Sequence, residues 1–355
     1  MRPALAVTSF SAIAAAACAA FLLFAAPEAK PQDHVYLTVD ETAHRVDVLV
    51  DGKPFTAYIW PTTLKKPVLF PIRAASGTII TRGFPLDPRV GERVDHPHHA
   101  GLWFNYEDVN GLDFWNNSYA IKPENAHKMG TILHHSILSS KSGLQGELDV
   151  EEDWVTPDNK VLLKEHTHFV FRGDSNSRSI DRITTLTALD TKVDFSDAKD
   201  GMLGLRVIRA LEIPSDKAEV FVDASGRPTT VAKLDNTGVN GTYLTSEGKK
   251  GDAAWGTRGR WCNLSGLVGS EPVTITILDH PSNPGFPTYW HARGYGLFAV
   301  NPLGQKVFSN GKEQLNFSLA PHASATFRYR ILITSSIVTP EASEAAFNNF
   351  ASLYR

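Results

Sequence analysis

The 355-residue sequence contains only two cysteines, Cys18 and Cys262. Two cysteines cannot build the disulfide framework of a small secreted scaffold, so the protein must be stabilised by a hydrophobic core. Charge is also sparse, because 21% of the residues are charged and 35 basic residues stand against 38 acidic ones. The net charge of -3 supplies no general cationic field for a phosphate backbone, which argues against a nucleic-acid partner.

Long apolar stretches are missing after residue 30, and the single long stretch lies at the N-terminus. Met1-Arg2-Pro3 precedes an uncharged segment from Ala4 to Pro27, which is the pattern of an export signal. The segment is also long enough to anchor the chain in a membrane. We therefore expect residues 1–32 to be a signal peptide or an N-terminal anchor, with no other membrane contact. Residues 33–355 are expected to form one domain of an exported, periplasmic or extracellular protein.

Alternation of apolar and polar residues with period two dominates the rest of the chain. The run from Arg45 to Val50 alternates, and Asp51-Gly52 then marks a hairpin turn. Similar short runs separated by turn residues recur up to Ile333, which predicts an all-β fold, an antiparallel β-sandwich. A short C-terminal helix is also predicted, because Thr339 can cap it and its apolar face includes Phe347.

Histidine is clustered in one short segment. Three of the 13 histidines occur in Asp95-His96-Pro97-His98-His99. In an extended segment residues two apart face the same side, so we expect His96 and His98 to converge on one ligand while His99 points elsewhere. Imidazoles act as acids or bases near neutral pH or bind metals. The alternative is a structural role, with the rings hydrogen-bonded to loop backbone beside an aromatic core.

Tryptophan is concentrated beside these histidines and in two further segments rich in glycine and proline. Flat aromatic faces combined with a few fixed polar groups suit a sugar ring. The candidate substrate-binding residues are Trp103, Asn105, Trp115, Trp255, Arg258, Arg260, Trp290 and Arg293. Burial in an ordinary core is the alternative for each tryptophan, and pairing with Asp or Glu is the alternative for each arginine.

The candidate catalytic residues are His98, His99, Asp113 and His291, with histidine as acid or base and the carboxylate as its partner. A divalent metal is the alternative use of the histidines, with His96, His98 and His168 as ligands. No other cofactor is indicated. The sequence lacks a G-x-S-x-G elbow, an H-E-x-x-H zinc motif, a Walker loop and a G-x-G-x-x-G turn that opens a helix.

Six short motifs of the chain carry a family resemblance: Asp95 to His99, Gly101 to Phe104, Asn110 to Trp115, Trp255 to Trp261, Trp290 to Gly296 and Asn301 to Gly304. Together they resemble a bacterial PmoA-like family of unknown function, DUF6807, and the resemblance runs from about Val46 to Ile333. The name implies a methane mono-oxygenase subunit, but a membrane enzyme of that type needs apolar spans that this sequence lacks after residue 30.

The resemblance implies instead a setting of secreted polysaccharide utilisation and a layout similar to the galactose mutarotase-like supersandwich. Mutarotase-type enzymes use a histidine acid and a carboxylate base, but no residue of this chain is assigned a role from them. We expect an exported carbohydrate-active enzyme that uses histidine and carboxylate acid-base chemistry on a glycoside or sugar, with hydrolysis, elimination and epimerisation left open.

Two other functions stay open at this point. One is a non-catalytic carbohydrate-binding or surface structural protein, and the other is a metal-dependent enzyme with histidine ligands. The near-neutral charge favours a largely uncharged substrate. A single site requires the three aromatic segments to converge on one pocket.

Overall fold

The computed structural model describes residues 34–354. The strands within that range are β1 (Val35–Asp40), β2 (Arg45–Val50), β3 (Lys53–Ile59), β4 (Val68–Leu69), β5 (Leu102–Tyr106), β6 (Thr131–Lys141), β7 (Gly146–Val155), β8 (Val161–Gly173), β9 (Ser177–Ala188), β10 (Val193–Asp194), β11 (Gly201–Arg206), β12 (Glu219–Val222), β13 (Pro228–Val231), β14 (Thr242–Thr245), β15 (Trp261–Val268), β16 (Glu271–Asp279), β17 (Tyr289–Arg293), β18 (Leu297–Asn301), β19 (Ser318–Leu319) and β20 (Ser324–Thr334). The helices are α1 (Gln305–Phe308), α2 (Pro340–Ala351) and short 3-10 turns at Pro123–Lys128, Arg209–Leu211 and Gly251–Ala254.

Most of these strands belong to two eight-stranded sheets. The first sheet has the order β1-β2-β3-β4-β5-β11-β18-β17, and the second has the order β14-β15-β16-β20-β9-β8-β7-β6. Two short pairs, β10-β19 and β12-β13, lie outside both sheets. The neighbouring strands are antiparallel throughout the described range. The predicted antiparallel β-sandwich is therefore confirmed.

The core lies between the two sheets and follows from the period-two pattern. On β2, Val46, Val48 and Val50 are fully buried while their neighbours are half-buried. Aromatic rings join the sheets, since Phe104 of β5 packs against Trp154 of β7 with the ring centroids 6.5 Å apart. Each large apolar side chain buried in this way contributes about 1.5–3 kcal/mol to folding.

Helix α2 forms where the sequence predicts it. The Thr339 side chain accepts a hydrogen bond from the Ala342 amide at 3.3 Å, which satisfies one of the free N–H groups of the first turn. Phe347 and Phe350 pack against Trp261 and Leu278 at one end of the second sheet. No helix between residues 34 and 354 is long and apolar enough to cross a membrane. The predicted leader over residues 1–32 lies outside the described residues.

The outer face of the first sheet, opposite the second sheet, carries a row of candidate residues. In register across β5, β11, β18 and β17 lie Trp103, Gly204, Ala299 and His291. Their sequence neighbours on these strands belong to the core between the sheets, so these four residues face outward. Trp103 and His291, at the two ends of the row, come from segments predicted to be loop-like, but both residues lie in strands.

Glycine is required at the centre of this row. A Cβ atom on Gly204 would lie 2.4 Å from Cζ2 of Trp103, a distance that carbon atoms cannot adopt without a shift. The indole of Trp103 therefore occupies the space above Gly204 and lies against the sheet. His99, in the long loop between β4 and β5, stacks on this indole, so the histidine cluster of that loop lies close to the sheet.

Candidate functional site

A cavity of about 320 Å³ opens on the outer face of β17, beside the residues that precede β11. Its wall is formed by His96, His98, His99, Trp115, Asn116, Lys199, Asp200, His291, Arg293 and Tyr295. The volume is at the lower end of the range for small-molecule sites. The expected convergence of all three aromatic segments on one pocket is not met, because only the first and the third meet in this cavity. The second contributes Trp255 to a neighbouring cavity of about 380 Å³, which shares Arg293 and Tyr295 with the first.

Two buried arginines shape the histidine segment. Arg82 donates to the carbonyl oxygens of His96 at 3.1 Å and His99 at 3.0 Å, and it pairs with the Asp95 carboxylate. Arg206 of β11 donates to both oxygens of Asp95 at 2.8 and 3.0 Å. Although burial alone raises the pKa of Asp95, the Arg206 guanidinium and the hydrogen bond from His96 bring that pKa below its ordinary value.

The segment is a turn rather than an extended strand. The His99 amide donates to the His96 carbonyl at 2.9 Å, and His96 has a φ of +43°. The predicted alternation is therefore wrong. All three imidazoles line the cavity, and the rings of His96 and His99 stack with their centroids 4.8 Å apart.

His96 is held between two rings and oriented by a carboxylate. Its imidazole stacks on His99 on one side and on Tyr295 on the other, with the Tyr295 centroid 5.2 Å away. Its Nδ1 lies 2.9 Å from Oδ2 of Asp95, so the Nδ1 proton is donated to the carboxylate. In this tautomer the lone pair is at Nε2, which suits a proton acceptor.

His99 and His98 are held in the neutral form. Arg206 cannot accept a proton, so its contact with Nδ1 of His99 at 3.1 Å leaves the His99 proton on Nε2. Burial, with neighbouring positive groups, lowers the pKa of His99 well below its ordinary value. Burial and the Lys66 ammonium lower the pKa of His98 to about 2. Both rings are thus hydrogen-bonding groups rather than cations at neutral pH.

Asp200 and His291 form a second contact pair in the cavity wall. Nδ1 of His291 lies 3.2 Å from Oδ1 of Asp200, but the geometry is not that of a hydrogen bond, and this nitrogen is buried without a hydrogen-bond partner among residues 34–354. Burial and the negative charge of Glu107 raise the pKa of Asp200 to about 6. Burial and the Lys199 ammonium lower the pKa of His291 to about 3. Asp200 therefore exchanges protons near neutral pH.

Two residues outside the cavity position Asp200. Asn301 of β18 is fully buried and donates its amide hydrogens to the carbonyls of Ala198 at 2.9 Å and Lys199 at 2.8 Å. The Asp200 amide donates to the Glu107 carboxylate at 2.9 Å, and the Glu107 amide donates back to the Asp200 carbonyl at 2.9 Å. The carboxyl group is thus fixed by the backbone on both sides.

Several residues predicted to bind substrate have other contacts. Trp103, Asn105 and Trp290 are fully buried, so they cannot contact a sugar. Trp103 supports His99 from below, with the ring centroids 5.2 Å apart. Arg258 donates to the Pro287 carbonyl at 2.9 Å and lines neither cavity. These expectations are corrected because the outer face of β5 is covered by loops, while Trp290 faces the core.

Three further candidates also have structural contacts. Arg260 pairs with Glu344 of α2 at 3.1 Å, away from the cavity. Asp113 is absent from the cavity wall, and its two oxygens accept hydrogen bonds from the amide and the side chain of Asn116 at 2.9 and 2.8 Å. Asp113 therefore positions Asn116, which does line the cavity. Trp115 lines the cavity edge-on to His99.

The predicted set of metal ligands is not assembled. His168 of β8 lies on the second sheet, where its Nδ1 contacts Oδ1 of Asp149 at 2.9 Å. His96 and His98 line the cavity of the first sheet without it. In the part of the chain that the structure describes, no group of three or more His, Cys, Asp or Glu residues is arranged to hold a metal ion.

Four residues of the cavity wall were not predicted from the sequence: Asn116, Lys199, Asp200 and Tyr295. Tyr295 lies in the third aromatic segment, where its position beside Arg293 was the available signal. Lys199 and Asp200 precede β11, whose six residues are all buried. Charged residues directly before such a strand are a weak signal, because many strands begin at a polar loop.

The fold and the cavity define an antiparallel β-sandwich protein with a histidine- and aspartate-lined site on the outer face of one sheet. The chain belongs to the family of unknown function DUF6807, whose model matches residues 45–348. No curated protein matches the sequence.

Similar solved structures include the galactose mutarotase-like proteins that the resemblance implied. A putative aldose 1-epimerase from Escherichia coli K12 is 10% identical over 85% of this chain and 97% of that chain, with a TM-score of 0.32. A galactose mutarotase-like protein from Clostridium acetobutylicum is 9% identical over 86% and 99%, with a TM-score of 0.34. The galactosidase domain of an alpha-galactosidase-sucrose kinase is 10% identical over 84% of this chain, with a TM-score of 0.38, and this chain spans 42% of its length.

Proposed function

We propose that the protein is an exported carbohydrate-active enzyme that moves a proton between two groups in the 320 Å³ cavity. The observation that carries the proposal is the meeting of Asp200, whose pKa is raised to about 6, with neutral histidines in one cavity wall. Groups whose environments drive their pKa values apart are the usual acid and base of an active site. Export is supported by the apolar N-terminal sequence alone.

His96 and Asp200 are the two proposed proton-transfer groups, and different contacts suit each of them to its role. His96 has a free Nε2 lone pair because Asp95 accepts its Nδ1 proton, which suits a base. Asp200 retains its proton to a higher pH than an ordinary carboxyl group, because burial disfavours the anion. It can therefore donate a proton near pH 6 and accept one above that. Hydrolysis, elimination and epimerisation each need one donor and one acceptor, so the pair is compatible with all three.

A sugar fits the rest of the wall. The half-buried ring of Tyr295 provides apolar surface, and the Asn116 amide and the Nε2–H of His99 provide hydrogen-bonding groups. Trp115 is only 1% accessible and supports this wall from behind. A pyranose has apolar C–H faces and a polar hydroxyl edge, which match this mixture. A pure binding protein would need the same surfaces but no group that titrates near pH 6.

The test is a screen for products. Oligosaccharides, including oxidised and uronic-acid forms, are incubated with the protein and with Asp200→Asn and His96→Gln, and products are identified by mass spectrometry. We expect turnover by the native protein and a loss of at least about 100-fold in each variant, the usual scale for a proton-transfer group. His135→Gln is the matched control, because His135 is exposed on β6 and pairs with Asp153 on the second sheet.

Binding of a saccharide by all three proteins without any product would contradict the enzyme proposal and favour the carbohydrate-binding alternative. Equal turnover in the native protein and in both site variants would instead show that chemistry takes place elsewhere.

A further inference from the structure

Arg293 has no anionic partner, in contrast to the other arginines of residues 34–354. Each of those arginines forms an ion pair with a carboxylate or donates to a carbonyl oxygen through its side chain. The guanidinium of Arg293 lies instead over the rings of Trp255, 5.4 Å away, and Tyr295, 5.8 Å away. A half-buried arginine that lies over aromatic rings and has no counter-ion keeps its N–H donors free for an anionic ligand.

Arg293 is accessible from two cavities. It lies on β17, two residues after His291, so period two places both side chains on the outer face of the sheet. The 320 Å³ cavity and the 380 Å³ cavity beside Trp255 both have Arg293 and Tyr295 in their walls. A group bound to Arg293 therefore lies next to Asp200 and His291 as well as next to the second cavity.

The wall of the first cavity has more positive than negative side chains. Arg293 and Lys199 line it as cations, and Asp200 is the single carboxylate of its wall. Beneath the histidines, Asp95 is shared by two arginines, Arg82 and Arg206. The whole chain has a net charge of -3, so this excess is local and is hidden in the composition.

We propose that the site takes an acidic saccharide and that Arg293 binds the anionic group of the sugar. The inference rests on the proposed function, which it deepens by naming the substrate class. A planar guanidinium forms paired hydrogen bonds with a carboxylate, so a uronic acid is the best-matched ligand, and a sulfate ester shares the same chemistry. The near-neutral composition had favoured an uncharged substrate, but composition averages over the whole surface.

The test compares matched ligands by isothermal titration calorimetry. The probes are a uronic acid disaccharide, the neutral disaccharide made from it by carboxyl reduction, and a sulfated disaccharide of the same backbone. We expect the native protein to bind the uronic acid form about 10- to 100-fold more tightly than the neutral form, the range for a charged hydrogen-bonded contact. The preference should fall at high salt.

Arg293→Gln should remove this preference, so that the variant binds the uronic acid form and the neutral form with equal affinity. Arg227→Gln is the control for charge, because Arg227 is exposed with 79% of its side chain accessible and lies outside both cavities. Retention of the preference in Arg293→Gln would overturn the role of Arg293. Tighter binding of the sulfated form than of the neutral form supports the proposal and identifies sulfate as an accepted group.

The outcomes separate this inference from the proposed function. Equal affinity of the native protein for all three disaccharides, or no affinity for any, overturns the acidic-substrate inference. Turnover of neutral sugars under the same conditions would leave the enzyme proposal intact. Selective binding of the acidic form without any product would support the inference and contradict the enzyme proposal.

Discussion

Replacement of Asp200 by asparagine should stabilise the folded protein at neutral pH. Burial, together with the negative charges of Glu107 and Asp113, raises the pKa of Asp200 from 3.8 to about 6. The folded state therefore binds the Asp200 proton more tightly than the unfolded state does. Below pH 3.8 both states are protonated and the group has no effect on stability. As the pH rises through 6, the folded state must accept a buried charge, and stability is lost.

The expected gain follows from the size of this shift. A pKa difference of about 2 corresponds to about 3 kcal/mol, which the native protein loses between about pH 4 and pH 7. Asparagine cannot ionise, so Asp200→Asn avoids this loss. The raised pKa already includes the contact with Lys199, whose ammonium lies 3.4 Å from Asp200 and favours the anion. We therefore expect Asp200→Asn to be about 3 kcal/mol more stable than the native protein at pH 8.

The assay is urea unfolding followed by tryptophan fluorescence at pH 4.5, 6 and 8. The difference between Asp200→Asn and the native protein should be about 1 kcal/mol at pH 4.5 and should reach its full size by pH 8. Asp181→Asn is a control for which the expected change in stability has the opposite sign. Although burial raises the pKa of Asp181, its ion pairs with Arg330 and Arg172 lower it, so its removal should cost stability at pH 8. A pH-independent difference, or a loss of stability in Asp200→Asn at pH 8, would refute the reasoning.

Two further predictions concern the support of the site and its use of metal. Gly204→Ala should lower the free energy of unfolding by about 1–3 kcal/mol, because its Cβ would overlap the Trp103 ring at 2.4 Å. Gly143→Ala is the control and should be near neutral, because its Cβ would meet only the Gln145 carbonyl at 3.4 Å. Urea unfolding of both variants checks this, and equal stability would contradict the close packing. Turnover should survive dialysis against a strong chelator, since His168 pairs with Asp149 on the second sheet. Activity lost on chelation and restored by zinc would contradict this prediction.

Regular features of the fold could be predicted because they depend on local sequence. The alternation over Arg45–Val50 and the capped segment at Thr339 each specify their own backbone, and both form as expected. Strand β5 was harder to predict, because it is buried along its whole length and shows no alternation. Its residues were therefore assigned to the motif beside the histidine cluster and not to a strand.

The candidate site was predictable only in part, because its geometry depends on long-range contacts. The motif of clustered histidines marked the cavity correctly, but the turn at His96 depends on Arg82 and Arg206, which are far apart in the sequence. Trp103 could not be distinguished from an exposed platform, since its burial depends on Gly204 in a strand about a hundred residues away. Asp200 becomes distinctive only when burial and Glu107 raise its pKa to about 6.

The central claim is that Asp200 and the histidines of one cavity carry out acid-base chemistry on a saccharide. The most direct measurement is the pH dependence of turnover by the native protein on a saccharide from the product screen. The account predicts that kcat/KM changes with an apparent pKa near 6, which Asp200→Asn removes together with most of the activity. Turnover that is independent of pH between about 5 and 8, or an Asp200→Asn variant with native activity and an unchanged pH profile, would contradict the account.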